Sequence, residues 1–449
     1  MRKITSILSL SGISGLLSWP RNSYSLLLDR IGCHGPPCVR FLGTKSPSGV
    51  LCARVAPRQH CEMNVITSSN SDWSVSLLAW GDPASLKTFS GYSAQLRAQL
   101  KAQNLLRREY NINTVGATDA LVGALSLVPL LSGRRPTVRR EWLWSRSAIG
   151  TLSRRLNRKI ELAGDRGAFL EVGTLARVDK RFGPQFQITD MTVFQAREAG
   201  QFGFGHMSAG TVAQAIQAQR ETLEHACHIF AMSQWTAESL VSHYGTPENK
   251  ITVVYTGPNM DPQDEVVQRR PHQILFVGYD WNRKGGPLLL DAFRLVRHAM
   301  PDAELVIVGP DPEVREDGIR IAGTLDRRDP SQFAKLKRLY RESACLCLPS
   351  CFDPFPIAIV DAMTLGTPVV AFDNGSRREA ILDGRTGLLA RNGDVVDLSR
   401  ALGKLLASPD LQVVMSHEAR SRARDLFTWE RVVERIGTTI RRHLDESAR

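Results

Sequence analysis

The chain has 449 residues and a mass of 49.8 kDa, more than one hydrophobic core usually holds, so its length predicts two domains and some excess. Charged residues make up 23% of the chain and hydrophobic residues 43%, which excludes collagen-like, coiled-coil and wholly disordered proteins. Lys and Arg number 57 against 45 Asp and Glu, and the resulting charge of +12 makes phosphates, nucleic acid and anionic lipid all compatible partners.

The first 72 residues follow a less regular pattern than the rest. Arg2 and Lys3 precede an apolar stretch over residues 4–19 that is similar to a signal peptide, but serines dilute it and no clear cleavage site follows. The next residues mix Cys, Pro, Gly and Arg without a helical or strand period. We interpret residues 1–72 as a disordered extension, a targeting segment or an overcalled start.

The cysteines and the hydropathy bear on location. The eight cysteines are scattered without the tight pairs of a zinc site, which fits a reducing compartment. No stretch of about twenty continuous apolar residues exists, so a membrane-spanning helix is not expected. The sequence therefore predicts a cytoplasmic protein, with any membrane contact peripheral and at the inner face.

An N-terminal α/β domain is predicted over residues 73–262. A strand begins at Trp73, a loop with Gly81 follows, and Gly91 stands directly before an amphipathic helix. Gly91 either lets backbone N–H groups approach a phosphate or serves only the turn, and the pattern leaves both interpretations open. Further strands are predicted over residues 168–172, 225–233 and 251–255.

A strongly basic segment lies inside this domain, over residues 134–159. It holds nine Lys and Arg residues against one acid, Glu141, with Trp142 and Trp144 among them. Helical spacing of its apolar residues is typical of a helix with one buried face and one solvated, charged face. An anionic membrane surface is the alternative partner, whereas no nucleic-acid fold signature accompanies the tryptophans.

A second α/β domain is predicted over residues 272–425. Short apolar strands alternate with apolar-periodic helices from Ile274 onward, as in βαβ units, which predicts a parallel doubly wound sheet. Ligands are then expected at the carboxyl ends of the strands. The last segment, residues 426–449, is predicted to be a helix.

A basic loop falls at one of these carboxyl ends. Arg283 and Lys284 stand beside Gly285 where a helix begins, so side-chain charge, backbone donors and the helix dipole could converge on a diphosphate. A solvated Arg-Lys turn with a capping glycine is the alternative.

Two carboxylates form the second candidate group. Asp353 lies in a loop and Asp361 inside an apolar helix. A carboxylate among apolar residues is costly to bury unpaired, so Asp361 is expected to face a groove and accept hydrogen bonds from hydroxyls. Asp353 either shares that site or caps the helix.

Six motifs resemble those of one glycosyltransferase family in order and spacing. They are Arg283-Lys284-Gly285, Pro349-Ser350, Asp353 with Asp361, Ala362-Met363, Gly366-Thr367-Pro368 and Gly384-Arg385-Thr386-Gly387. The chain thereby resembles the retaining GT-B glycosyltransferases of family four, strongly over residues 274–390 and moderately over 81–91 and 233–255. The resemblance implies two Rossmann-like doubly wound domains facing a central cleft, with the helix over 426–449 crossing back to the N-terminal domain.

The resemblance also implies roles for the charged residues. Lys284 with Arg283 neutralises the donor diphosphate, Asp353 contacts the transferred sugar, and Asp361 binds the nucleotide ribose.

The chain departs from the family pattern at several positions. The family usually has glutamate where this chain has Asp353 and Asp361, which are one methylene shorter. Tyr279 stands five residues before Lys284, where an arginine is common. No N-terminal histidine aligns with the family's sugar-contacting histidine, and His206 is the candidate for that position.

The reaction that the resemblance implies is transfer of a sugar from a UDP- or GDP-linked donor to a glycan or lipid-linked acceptor, with retention of configuration. No cofactor is implied, and the lack of an Asp-x-Asp triplet predicts metal independence. A sugar-nucleotide epimerase of the same fold and an inactive nucleotide-sugar-binding protein are the alternatives. No nucleic-acid partner is expected.

Overall fold

The computed structural model describes residues 73–113, 144–262, 267–309 and 311–448. Predictions that fall on residues 1–72, and on the first part of the basic segment up to residue 143, lie outside the described residues. The described residues form two lobes, each built around one parallel sheet. Both lobes lie within a single compact unit.

The first lobe is a six-stranded sheet in the order β2-β1-β3-β4-β5-β6, and its ladders are parallel. The strands are β1 Val75–Ala79, β2 Leu106–Asn111, β3 Ala168–Val172, β4 Gln185–Thr189, β5 His228–Ala231 and β6 Ile251–Val253. Every residue of β1 and β3 is buried because helices cover both faces of the sheet.

The helices of this lobe connect its parallel strands. They are α1 Tyr92–Ala102, α2 Arg146–Leu162, α3 Val193–Glu198, α4 Ala209–His225 and α5 Gln234–Tyr244. Single 3₁₀ turns occur at Thr88–Gly91, Phe204–His206 and Glu248–Lys250.

The second lobe repeats the architecture in the order β12-β11-β10-β7-β8-β9, again with parallel ladders. The strands are β7 Arg270–Val277, β8 Glu304–Val308, β9 Ile319–Gly323, β10 Ser343–Leu348, β11 Val369–Asp373 and β12 Gly387–Arg391. The first strand begins four residues earlier than the apolar pattern predicts, because Arg270 pairs with Ser343 of β10.

Seven helices of the described chain follow the second lobe's strands. They are α6 Gly286–Ala299, α7 Pro330–Glu342, α8 Ile357–Thr364, α9 Arg377–Ala380, α10 Val395–Leu406, α11 Pro409–Leu426 and α12 Trp429–Ala448. Parallel strands require such crossovers, which bring the loops after the carboxyl ends together at one edge.

The last helix, α12, packs against the first lobe. Trp429 Nε1 donates a hydrogen bond of 2.7 Å to the carbonyl of Pro258, and the Trp429 ring lies 5.0 Å from that of Tyr92, edge to face. Further along the helix, Ile436 and Ile440 are buried in the same apolar cluster as β1. The chain therefore crosses between the lobes twice.

The basic segment, where it is described, forms α2. Ile149, Leu152 and Ile160 are buried, so the apolar face of α2 is part of the lobe's core. Trp144, just before the helix, packs against Phe204 at a ring distance of 5.7 Å. Arg154 and Arg158, on the opposite face, are exposed, whereas Arg146 pairs with Glu221 of α4.

Candidate functional site: a cleft between the lobes

The loops that follow the strands of both sheets meet across a cleft. Phe352, in the loop after β10, packs edge to face against Trp235 of α5 and against Phe202 of the first lobe. The candidate residues of the second lobe therefore lie opposite the first lobe.

Lys284 and Asp353 form the charged centre of this cleft. Lys284 Nζ donates a hydrogen bond to Asp353 Oδ2, and Arg283 Nη1 lies 4.0 Å from Asp353 Oδ1. Only 15% of the Lys284 side chain and 9% of the Asp353 side chain are exposed. The alternative of a solvated turn therefore does not fit Lys284. The helix-cap alternative does not fit Asp353, because Pro356 occupies the N-cap position of α8.

The surrounding charges settle the ionisation of this pair. Burial disfavours the charged form of Asp353, but Lys284, Arg377 and Arg283 together outweigh it and hold the pKa of Asp353 below its usual value. Burial lowers the pKa of Lys284, and Asp353 opposes that shift. At neutral pH the cleft thus holds Asp353 as a carboxylate, and the cations around it carry more positive charge than this one carboxylate neutralises.

Gly285 is required by the backbone beside Lys284. Its φ is +79°, and a Cβ at this position would lie 1.9 Å from the carbonyl oxygen of Pro349. Only glycine allows the loop after β7 to pass so close to the loop after β10. This close passage brings Lys284 to Asp353.

Asp361 lies on α8, buried apart from the Lys284 pair. Its Oδ1 accepts a hydrogen bond of 2.6 Å from the backbone N–H of Asn259, in the segment that joins the lobes. Burial raises the pKa of Asp361 to about 7, while the Asn259 N–H and the charge of Arg327 oppose the rise. A carboxyl group of this kind can accept hydrogen bonds from hydroxyls as readily as from the Asn259 amide.

Gly91, for which the sequence left a phosphate contact and a simple turn both open, faces the second lobe. Its φ is +94°, and a Cβ here would lie 2.6 Å from Asn259 Oδ1 and 3.1 Å from Arg327 Nη2. Arg327 in turn donates a hydrogen bond of 3.1 Å to the carbonyl of Leu86. Gly91 therefore stands near Asn259, the same residue that donates to Asp361.

A cavity of about 410 Å³ opens beside Asp353. Its first-lobe wall comes from α3 and α5, and its second-lobe wall comes from the loops after β10 and β11. The lining residues are Phe194, Gln195, Glu198, Ala199, Trp235, Glu238, Ser239, Ser242, His243, Cys351, Phe352, Asp353, Asn374, Gly375 and Arg377. The mixture of aromatic and polar groups is typical of a small-molecule site.

Three further charged residues belong to this cleft but were missed from the sequence. Arg377 lines the cavity. Asp190 lies at the carboxyl end of β4, and burial, together with the nearby charge of Asp353, raises the pKa of Asp190 to about 6. Glu379 accepts hydrogen bonds from the backbone N–H groups of Gln234 and Trp235, at 2.6 and 2.9 Å. Of the three, only Asp190 directly follows a strand, and that position is the signal that could have found it.

Two residues of the family comparison do not join the cavity. Tyr279 is 68% exposed, so it does not replace the arginine that is common at its position. His206 is exposed in the short turn Phe204–His206 and does not line the cavity.

Within the described ranges, no three His, Cys, Asp or Glu side chains are grouped so that they could hold a metal ion. None of the helices in the part of the chain that the structure describes is long and apolar enough to cross a membrane.

Two parallel doubly wound lobes that face each other across a basic cleft define the GT-B class of fold. Residues 271–408 match the family model of the glycosyl transferases group 1. Over these residues the second lobe is similar to the family, which confirms the resemblance seen in the motifs.

The chain is similar to curated glycosyltransferases over part of their length. It is 28% identical over 305 residues to a D-inositol 3-phosphate glycosyltransferase of Gordonia bronchialis, covering 62% of this chain and 65% of that protein. It is 26% identical over 191 residues to an uncharacterized glycosyltransferase of Haemophilus influenzae, covering 41% of this chain and 54% of that protein. The match thus spans less than two thirds of either relative.

Solved structures share the fold more completely. Sucrose-phosphate synthase from Thermosynechococcus elongatus matches with a TM-score of 0.61 at 16% identity, over 83% of this chain and 100% of that chain. Anabaena Alr3699/HepE, in complex with UDP and glucose, matches with a TM-score of 0.55 at 13% identity, over 82% and 99%. Likeness at this level of identity establishes the GT-B architecture predicted from the sequence.

Proposed function

We propose that the protein is a retaining glycosyltransferase that moves a sugar from a UDP- or GDP-linked donor to a glycan or lipid-linked acceptor. The observation that carries the proposal is the buried Lys284–Asp353 pair, with Arg283 beside it, in the cleft of a fold that carries a glycosyl transferases group 1 domain. The positive charge in excess of Asp353 suits a diphosphate.

The proposed chemistry uses these charges in the transition state. The bond between the sugar's anomeric carbon and the phosphate oxygen breaks, and negative charge develops on the leaving diphosphate. Lys284 and Arg283 stabilise that charge. Electrostatic stabilisation of this kind is usually the largest single contribution to catalysis. The acceptor oxygen bonds to the anomeric carbon on the same face, and its proton passes to the departing phosphate oxygen.

The two carboxylates take separate roles in this proposal. Asp353 retains acceptor sites for a hydroxyl of the transferred sugar, while Asp361 accepts hydrogen bonds from the ribose in place of, or beside, the Asn259 amide. Because aspartate reaches less far than glutamate, the sugar must approach Asp353 closely. The lobe opposite supplies the acceptor side of the cleft.

Donor turnover with and without acceptor tests the proposal. A panel of UDP- and GDP-sugars is first screened for thermal stabilisation, since a ligand stabilises the fold in proportion to RT ln(1 + [L]/Kd). The acceptor panel includes D-inositol 3-phosphate, from which the Gordonia relative takes its name. We expect acceptor-dependent release of nucleoside diphosphate that persists in EDTA.

Each alternative gives a different result in the same assay. An epimerase would convert a nucleotide sugar into its epimer with no acceptor present. A binding protein would be stabilised by nucleotide sugars but would release no nucleoside diphosphate with any acceptor. Either result would contradict the proposed transfer.

A further inference from the structure

Arg377, the first residue of α9, is a buried arginine in the wall of the cavity. Only 1% of its surface is exposed, although arginine is among the residues that are least often fully buried. Burial of a guanidinium is costly unless its donors are used.

Most of the hydrogen-bonding capacity of Arg377 is unused. Nη1 donates to the carbonyl of Asn374 at 3.0 Å. Nε and Nη2 have no hydrogen-bond partner within the described ranges of the chain. Burial lowers the pKa of Arg377 to about 10, and the charge of Asp353 only partly offsets that shift.

The nearest acid does not supply the missing partner. Asp353 is already bonded to Lys284, with Arg283 at 4.0 Å, and it forms no ion pair with Arg377 among the described residues. Arg283 is itself partly engaged by Asp280, at 3.3 Å. Three cations therefore surround one carboxylate, and Arg377 is the one whose unpaired donors, Nε and Nη2, are buried.

We propose that Arg377 is a third cation of the donor diphosphate site, which it reaches from α9 rather than from the loop after β7. The two unpaired N–H groups of a planar guanidinium match two phosphate oxygens. Arg377 would supply the arginine that the exposed Tyr279 does not. This inference rests on the proposed function, because it assigns part of the same donor site.

Calorimetry with nucleoside diphosphates and monophosphates tests the assignment. Arg377→Gln should weaken binding of the diphosphate, UDP or GDP, roughly 10- to 100-fold, as loss of a charged hydrogen-bonding partner does. Binding of the matching monophosphate should change less than about threefold, because the terminal phosphate is absent. The matched control is Arg378→Gln: the neighbouring Arg378 is 74% exposed at the side chain and pairs with Asp373, so both affinities should stay unchanged.

The outcomes separate this inference from the proposed function. If the unmodified protein binds neither nucleotide, the proposed function is wrong. If it binds both, but Arg377→Gln binds the diphosphate as tightly as before or loses both ligands equally, the assignment of Arg377 is overturned.

A second substitution keeps the inference testable if the Gln variant does not fold. Arg377→Lys retains the charge but offers no planar pair of donors, so diphosphate affinity should fall several-fold while monophosphate affinity holds. A folded Lys variant that binds the diphosphate like the unmodified protein, or a Lys variant that cannot fold either, would leave Arg377 a structural residue.

Discussion

Burial makes the charged residues of the cleft depend on one another. Asp353 stays ionised only because Lys284, Arg283 and Arg377 outweigh the cost of burying it. Asp361, which has a backbone N–H rather than a bonded cation, has its pKa raised to about 7. The two aspartates therefore have different electrostatic settings although the sequence presents them as a pair.

The different settings predict different phenotypes for the two acids. Asp361→Asn should chiefly weaken binding of free nucleoside diphosphate, whereas Asp353→Asn should chiefly lower the rate of sugar transfer, by roughly tenfold or more. Calorimetry and steady-state kinetics on both variants give the comparison. Unchanged nucleotide affinity in the Asp361 variant would remove the ribose from its role.

A buried histidine predicts a loss of stability on acidification. His228 Nε2 lies 2.9 Å from Thr252 Oγ1, and burial, followed by the charges of His443, Arg442 and Lys250, lowers the pKa of His228 to about 4. In the unfolded chain His228 binds a proton near the ordinary histidine pKa. The contribution of the neutral, buried His228 to stability is therefore fully present above about pH 6.5 and is lost as the pH falls towards 4. The loss between about pH 7 and 5 should be about 2 kcal/mol.

Denaturant unfolding at those two pH values checks the histidine. Asp361, Asp190 and Glu171 have raised pKa values, so they favour the fold at lower pH and oppose the effect. The readout is therefore the difference between the unmodified protein and His228→Asn, with His206→Gln as the exposed control. Equal pH slopes in His228→Asn and the unmodified protein would exclude His228 as the titrating group.

The site residues that the sequence revealed are those carried by motifs with fixed spacing. Lys284, Asp353 and Asp361 fall into that group, and the structure brings the first two into contact. Arg377 was not found, because in sequence it is indistinguishable from its exposed neighbour Arg378. Which of two adjacent arginines faces the cavity depends on the turn after β11, and no local pattern encodes that.

At the level of strands and helices, strands made of apolar residues could be recognised from the sequence, whereas polar strands could not. β10, buried throughout, was predicted, but β4 was missed because its glutamines look like those of a loop. Gln185 and Gln187 instead donate to the buried carboxyl group of Glu171 on β3, at 2.8 and 2.9 Å. Such pairing between neighbouring strands satisfies polar groups in a core and leaves no hydrophobic period. β2 was missed for another reason, since it is a polar edge strand in which only Tyr110 is buried.

The terminal helix α12 should be essential for stability. Removing residues 428–449 strips the first lobe of a covering that includes Trp429, Val432, Ile436 and Ile440, at roughly 1.5 to 3 kcal/mol for each buried side chain. The sum is comparable with the whole stability of a typical domain, so the truncated protein should melt far below the full chain or not fold. Thermal unfolding measures it.

A shorter truncation and a point substitution control for nonspecific effects of shortening the chain. Removal of residues 447–449 should leave the melting temperature unchanged. Ile436→Ala should cost about 2 to 5 kcal/mol by leaving a cavity in the core. A protein that lacks residues 428–449 but melts like the full chain would show that α12 does not support the first lobe.

The charged face of α2 predicts binding to anionic membranes through electrostatics alone, because its apolar face is buried. Each cation near such a surface contributes about 1 kcal/mol, and salt screens it. Co-sedimentation with phosphatidylserine vesicles should occur at low salt, disappear at high salt, and weaken on changing the exposed Arg154 and Arg158 to Gln. Equal partitioning of the variant and the unmodified protein at low salt would leave α2 a solvated helix.

On the scale of the whole molecule, hydrogen bonds in and beside the cleft connect the two lobes. Asn259 donates to Asp361, Arg327 reaches the carbonyl of Leu86, and Glu379 caps the start of α5. The doubly wound sheets and the GT-B architecture were predictable from alternating elements and motifs. The contacts between lobes were not, because they join residues that are more than 100 positions apart.

The most direct test of the donor site is the activity of Lys284→Ala. The value of kcat/KM for sugar transfer should fall about 100-fold or more, because a charge that stabilises the leaving diphosphate is lost. Lys284→Arg, which keeps a cation beside Asp353, should retain more activity, and the exposed Lys335→Ala on α7 should match the unmodified protein. Melting temperatures of all four proteins show whether the variants are folded. A folded Lys284→Ala protein with kcat/KM within about threefold of the unmodified enzyme would contradict the assignment of the cleft as the donor site.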